Sequence, residues 1–204
     1  MQNTAHLLMI LPVNFGFNAE TAVNNTFQKN IGSDVQQKAL QEFTDFVLLL
    51  RSNKVYVTVV EDSLHPYTPD SIFPNNWISF HADGRVFLYP MFAVNRRLER
   101  KDAVLDTVKQ KFSVTEIVDL TKSENEGLFL EGTGSMVLDR EHKIAYACLS
   151  PRTNEELLNQ FCKQVDYSPV TFRATDNTGI DIYHTNVMMC IAKNLCSCVF
   201  RIGY

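Results

Sequence analysis

The chain has 204 residues, 45% of them hydrophobic, with 19 basic against 23 acidic side chains and a formal charge of -4. That length suits one well-buried domain, and the absence of basic clusters beyond Arg96-Arg97 and Arg100-Lys101 argues against a nucleic-acid partner. The longest apolar runs, 7–11 and 46–50, are too short to span a bilayer, and no basic segment precedes the first, so a cytoplasmic chain without membrane segment or signal peptide is expected.

In chain order, 6–12 reads as a buried strand and 14–30 as polar loop. A helix follows through Arg51, capped by Ser33 or Asp34, with Val35, Ala39, Phe43, Phe46, Val47 and Leu50 at helical spacing. Val55, Val57 and Val59 alternate as a strand. After a proline-rich loop, 77–80 and 86–89 read as a hairpin turning through Ala82-Asp83-Gly84. The order then returns: a helix over 95–112 with a Leu98, Leu105, Val108, Phe112 stripe, a strand over 114–120, and a hairpin of 136–139 and 143–147. Next come a helix capped by Thr153, with Leu157, Leu158, Phe161 and Val165 inward, and a strand over 170–174. A turn at Asn177-Thr178-Gly179 leads to a third hairpin, which opens with Ile180-Asp-Ile-Tyr-His-Thr-Asn-Val-Met-Met189.

Helix starts near 34, 95 and 154 give steps of 61 and 59 residues, the mark of an internal repeat of hairpin, helix and strand. Such units bury their helix stripes only by stacking, as in a ring. Asn76, Glu131 and His184, 55 and 53 residues apart, fall at one place in this repeat, just before or at the first hairpin strand. In a ring of blades, equivalent positions face a shared axis. His184 and Asn186, two apart on a strand, would also share one face. A satisfied core histidine and asparagines that bond their own turns are the alternatives. Five cysteines, Cys148, Cys162, Cys190, Cys196 and Cys198, are expected as reduced thiols, and Cys196-Ser-Cys198 has no matching pair for zinc.

Phe73-Pro-Asn-Asn-Trp77, Leu130-Glu-Gly-Thr-Gly134 and Tyr183-His-Thr-Asn-Val187 resemble, in order and spacing, three site motifs of the guanidine-modifying superfamily, the five-bladed α/β propellers called penteins. The nearest resemblance is to the amidinotransferase-like, citrulline-utilisation hydrolase branch, and it covers the chain to about Ala192. It implies an α/β fold of about three of five blades over 1–192. It also implies hydrolysis of a carbon–nitrogen bond of a linear amidine or ureido amino acid, or amidino transfer, by a Cys-His-Glu mechanism without cofactor or metal. Carried over by motif, His184 is the general acid/base and Glu131 its orienting carboxylate, with Asn75, Asn76, Asn186, Gly132 and Gly134 around the substrate. Gly132 and Gly134 equally suit a tight turn.

Three departures bear on that reading. Arginine deiminases hold a guanidinium with two aspartates where this chain has Asn76 and Asn186. A carboxamide meets both the carbonyl and the NH2 of a ureido group, so citrulline is favoured over arginine. Leu11 stands where the resemblance leads one to expect an arginine. The nucleophilic cysteine belongs about two blades further on, and none of the five cysteines matches its motif, Cys190 reading as a core thiol. Residues 193–204 do not continue as the family's next strand, whereas another reading frame of the same DNA, with permitted codon choices, could encode an alternating one. A frameshift-derived tail and an inactive chain are therefore expected. The competing reading is a non-catalytic ligand-binding or oligomerising propeller fragment, a homo-oligomer through its open edges.

Overall fold

The computed structural model describes residues 2–22, 34–176 and 179–198. Its first half contains β1 (His6–Leu11), α1 (Ala19–Ala22), α2 (Val35–Ser52), β2 (Tyr56–Glu61), β3 (Ile78–Phe80), β4 (Arg85–Leu88), α3 (Val94–Arg97) and α4 (Asp102–Lys111). Then follow β5 (Glu116–Asp119), α5 (Gly132–Ser135), β6 (Met136–Asp139), β7 (Ile144–Cys148), α6 (Glu155–Val165), β8 (Ser168–Phe172), β9 (Met189–Ala192) and β10 (Leu195–Cys198). The expected turn residues Asn177 and Thr178, the cap candidate Ser33 and the end of the tail lie outside the described residues. The chain divides into two compact units. One is made of the described parts of Met1–Asn3, Asn75–Phe92 and Glu116–Tyr204, the other of Thr4–Pro74 and Ala93–Thr115.

The first unit carries the repeat. β3 pairs antiparallel with β4, and β5 joins β4 in parallel; β6, β7 and β8 repeat the pattern, with Met136 opposite Ala147 and Ile144 beside Ser168. A parallel strand needs a long crossover, which explains why a helix intervenes in sequence before β5 and β8. Gly84, at φ 86, takes the left-handed turn position expected of it. On α6, Leu157, Leu158, Phe161, Cys162 and Val165 are buried, and Phe161 meets Phe87 edge-on at 5.1 Å in the core of this unit. The cap of α6 is Asn154, whose Oδ1 accepts from Leu157 N at 3.0 Å, and not Thr153, which instead bridges to Leu130.

Other expectations are corrected. Within the described part of the tail, Leu195–Cys198 form a strand, β10, paired antiparallel with β9, Cys196 opposite Ile191. Cys190 is exposed, because on β9 it alternates with buried Met189. Among the described residues the strands form four separate sheets, none closed on itself. None of the described helices is long and apolar enough to cross a membrane.

In the second unit β1 and β2 run parallel, His6 beside Tyr56, with α2 as the crossover. Only Val47 of α2 is buried; Phe46, expected on the inner stripe, is exposed. The single helix expected over 95–112 is two pieces. Lys101 takes an extended backbone at ψ 139, and its ammonium turns to the Asp62 carboxylate and to Thr68 Oγ1. Arg96, buried on α3, makes a two-pronged pair with Glu99 at 2.8 and 3.0 Å. The expected start near 95 is α3 at Val94, so helix starts at 35, 94 and 155 step by 59 and 61, close to the expected period, and only the continuity of the second helix fails. The buried stripe of α4 is Val104 and Val108, and Leu98 lies exposed.

His81 sits against Phe87 and Phe161 and shares a hydrogen bond with Ser79 Oγ at 3.1 Å. Burial pushes its imidazole down to about 4. The unfolded chain protonates near 6.5, so stability from neutral His81 is intact above that pH and is lost as pH falls from 6.5 towards 4. Urea melts at pH 7.5 and 4.5 are expected to show an extra acid-side loss of about 2 kcal/mol in the parent relative to His81→Gln. Equal losses in both proteins rule this out.

Candidate active site

Three helical turns, each just before a hairpin strand, carry or adjoin the site residues Asn76, Glu131 and His184, which all belong to the first unit. They are the 3-10 turn Pro74–Asn76 before β3, α5 before β6 and the 3-10 turn Thr185–Val187 before β9. Asn76 ends the first, Glu131 precedes the second and His184 precedes the third. The equivalent positions expected from the 55- and 53-residue spacing thus meet.

Glu131 has no solvent exposure. Its Oε2 lies 2.6 Å from His184 Nε2, and its Oε1 accepts from Phe92 N at 3.0 Å. Its own N–H donates to Ser135 Oγ at 2.9 Å, and that hydroxyl donates to Arg152 O at 2.8 Å. The carboxylate is therefore fixed by the backbone on both sides before it meets the imidazole. Arg152 Nη1 lies 3.6 Å from Glu131 Oε2, and both side chains are buried.

The two glycines of Leu130-Glu-Gly-Thr-Gly134 have separate steric causes. Gly132 has φ +45, and a Cβ there would lie 2.4 Å from Asn75 O. At Gly134 a Cβ would lie 2.1 Å from Asn76 Nδ2 and 3.0 and 3.1 Å from His184 Cε1 and Nδ1. The carboxamide and the Nδ1 edge of the imidazole therefore approach the same hydrogen-sized gap. Asn75 takes part through its carbonyl, which also accepts from Thr133 Oγ1 at 3.3 Å.

His184 does not lie on a strand. Its backbone is extended, but the next residues form a 3-10 turn, so the two-apart rule fails: His184 is buried and Asn186 is exposed. Thr185 causes the change. Its hydroxyl donates to Ser135 O at 2.5 Å and accepts from Cys148 N at 2.7 Å, and Met188 N closes the turn onto Thr185 O. Ser150 Oγ ties down Tyr183 O at 3.0 Å. Sequence reasoning included Tyr183 and Thr185 only as members of the third motif, without a role, and missed Ser135 and Arg152, of which Arg152, a charge just past an apolar strand, carried a signal.

Two cysteines lie in this unit's interior. Burial raises the Cys148 thiol, which points to Ile182 O at 3.2 Å, and pushes Cys162 up to about 11. Among the described residues, no three His, Cys, Asp or Glu side chains gather as metal ligands. A carboxylate holding one imidazole nitrogen, with the ring's other edge beside a donor–acceptor amide, is equipped to orient a small polar group and move a proton to it.

A model of the family described as N,N dimethylarginine dimethylhydrolase, eukaryotic, matches residues 11–201. Among solved structures, the N-terminal domain of ArgZ, an arginine dihydrolase from cyanobacteria, in a cysteine-to-serine form bound to substrate, is similar with a TM-score of 0.71. The identity is 19%, over 93% of this chain and 64% of that one. AgrE in complex with ornithine and NAD+ gives 0.71 at 20% identity, over 94% of this chain and 26% of that one. A cysteine-to-serine DDAH from Pseudomonas aeruginosa with citrulline gives 0.62 at 16%, over 91% and 65%. At these identities the likeness shows a shared fold, and the chain spans less than two thirds of each of these three structures. A search of curated protein sequences found no significant match.

Two alanine variants separate the glycine roles. Gly132→Ala meets backbone at a positive φ and is expected to cost about 2–3 kcal/mol or more, while Gly134→Ala meets a side-chain end and should cost about 1 kcal/mol. Gly134→Ala should nevertheless shift the His184 imidazole and Asn76 amide NMR signals. Equal destabilisation, or unmoved signals, contradicts the assignment.

Proposed function

This chain belongs to the N,N dimethylarginine dimethylhydrolase family, and on that premise we propose that it carries the substrate-holding and proton-transfer groups of a hydrolase acting on a carbon–nitrogen bond of a linear amidine or ureido amino acid. The observation that carries the reading is the 2.6 Å contact between His184 and buried Glu131, with Asn76 Nδ2 converging on the same glycine. In this reading Glu131 holds Nε2 so that the Nδ1 edge of His184 faces the ligand, protonates the leaving amine and later activates water. The repeated hairpin, helix and strand are read as blades of an incomplete five-bladed propeller.

Asn76 favours a neutral ureido group over a guanidinium, because one amide offers a donor to the carbonyl and an acceptor to the NH2. Asn186, exposed on the turn after His184, takes the outer place. ArgZ with its substrate and DDAH with citrulline are cysteine-to-serine proteins, which supports thiolate attack as the reaction class. A thiolate nucleophile needs a lowered pKa. Cys148, Cys162 and Cys198 are shifted the other way, and Cys190 and Cys196 are exposed whereas His184 and Glu131 are buried, so the attack is assigned to none of the five, and the 204 residues are read as binding without turnover.

Melting temperature against citrulline, arginine and N,N-dimethylarginine tests this. Citrulline at about a hundred times its dissociation constant should add about 2.7 kcal/mol of stability, and Asn76→Ala should abolish the shift. Neither ammonia nor dimethylamine should appear, with or without thiol alkylation. A shift with arginine alone overturns the ureido preference, and alkylation-sensitive release overturns the assignment of the nucleophile outside these cysteines.

A further inference from the structure

The second unit holds a surface cavity of about 750 Å³, within the range of cavities that take small molecules. It shares no residue with the site around Glu131. Its walls are cationic. Arg51 comes from the last turn of α2, Lys54 from the turn after it and Lys111 from the end of α4, while His6 opens β1 and Tyr56 opens β2. Among the described residues no carboxylate lines the cavity, and Arg51, Lys54 and Lys111 have no ion-pair partner. Three unmatched cations therefore face one space in a chain whose formal charge is -4.

Two of these cations have a local cause, because Arg51 and Lys111 end helices, where a positive side chain complements the carbonyl end. Lys54 and Tyr56 have none. Lys54 takes a left-handed φ of 63 in the turn that closes α2, its N–H bonding to Arg51 O and the next N–H, of Val55, to Leu50 O, both at 3.0 Å. Glycine closes such a turn without strain, so the fold by itself gives no reason for a lysine there. Tyr56 leaves 73% of its surface in solvent. Its ring stands 6.0 Å from that of His6, which is itself held to Thr58 Oγ1 at 2.9 Å. The Arg51 guanidinium is aimed by its Nη2, which donates to Val57 O at 3.1 Å.

We propose that this cavity binds a nucleoside polyphosphate, its phosphate chain on Arg51, Lys54 and Lys111 and its base on the open face of Tyr56. A guanidinium takes two phosphate oxygens at once, and the two ammonium groups add point charges that follow the rest of the chain. An aromatic face stacks any base, so the ring adds affinity without choosing among bases. Inorganic polyphosphate would satisfy the cations and leave the ring unused. The proposal does not rest on the amidine or ureido reading, whose residues Asn76, Glu131 and His184 belong to the other unit.

Calorimetric titration of the whole chain with ATP, and with tripolyphosphate for comparison, tests this. ATP should bind with a submillimolar dissociation constant that weakens as sodium chloride is raised, and tripolyphosphate should bind about tenfold more weakly. Tyr56→Ala should weaken ATP about tenfold and leave tripolyphosphate unchanged. Lys54→Gly relieves the left-handed backbone, so it should melt no lower than the parent while weakening both ligands about fivefold or more. Absence of binding at about 5 mM ATP, equal affinities for the two ligands, or an unaltered ATP affinity in Lys54→Gly overturns the proposal.

Discussion

A carboxylate with no access to water is costly to keep ionised unless every oxygen has a partner, and the first unit is arranged to supply those partners to Glu131. The Phe92 N–H takes one oxygen, while His184 and Arg152 share the other. The backbone on either side is held in turn by Ser135 and by the bridge from Leu130 to Thr153. Removing any one of these leaves a buried charge short of a partner, which is why the loops that deliver them are pinned by side chain to backbone bonds.

Helical turns, rather than the strands after them, do the delivering. A strand sends successive side chains to opposite faces, so it can present only every second residue to a site. A tight turn placed before the strand lets a residue leave the sheet plane, and all three hairpin entries of this unit use one. The price in conformation falls on Gly132 and on the hydrogen-only position of Gly134, where the second turn is pressed against Asn75, Asn76 and His184. Thr185 does the complementary work by binding Ser135 O, 50 residues away, and Cys148 N at once.

Local pattern made much of this legible. Alternating valines found β2, helical spacing found α6, and the near-equal steps between Asn76, Glu131 and His184 brought those three to one place. What stayed hidden depends on partners distant in sequence. The turn at Thr185 looks like strand because its cause lies in Ser135 and Cys148, so the shared face of His184 and Asn186 could not be refused in advance. The break after Arg97 was equally hidden, since Glu99 and Asp62 hold the charges that interrupt an otherwise helical stripe. Arg152 drew no reading from the sequence, and its burial rests on the rings of Tyr183 and Phe92 together with the Glu131 carboxylate.

Charge balance bears on the ligand independently of the Asn76 amide. With Glu131 negative and Arg152 positive the pair is neutral, and protonation of His184 makes the cluster positive. In the proposed reading, a guanidinium entering beside the imidazole would find the Glu131 carboxylate already engaged by His184 and Arg152, and its own charge would add to theirs. A ureido group carries no such charge. It needs only a donor for its carbonyl and an acceptor for its NH2, which a carboxamide next to an imidazole supplies without disturbing the arginine–glutamate pair. Within that proposal, amide chemistry and charge count favour the same class of ligand for separate physical reasons.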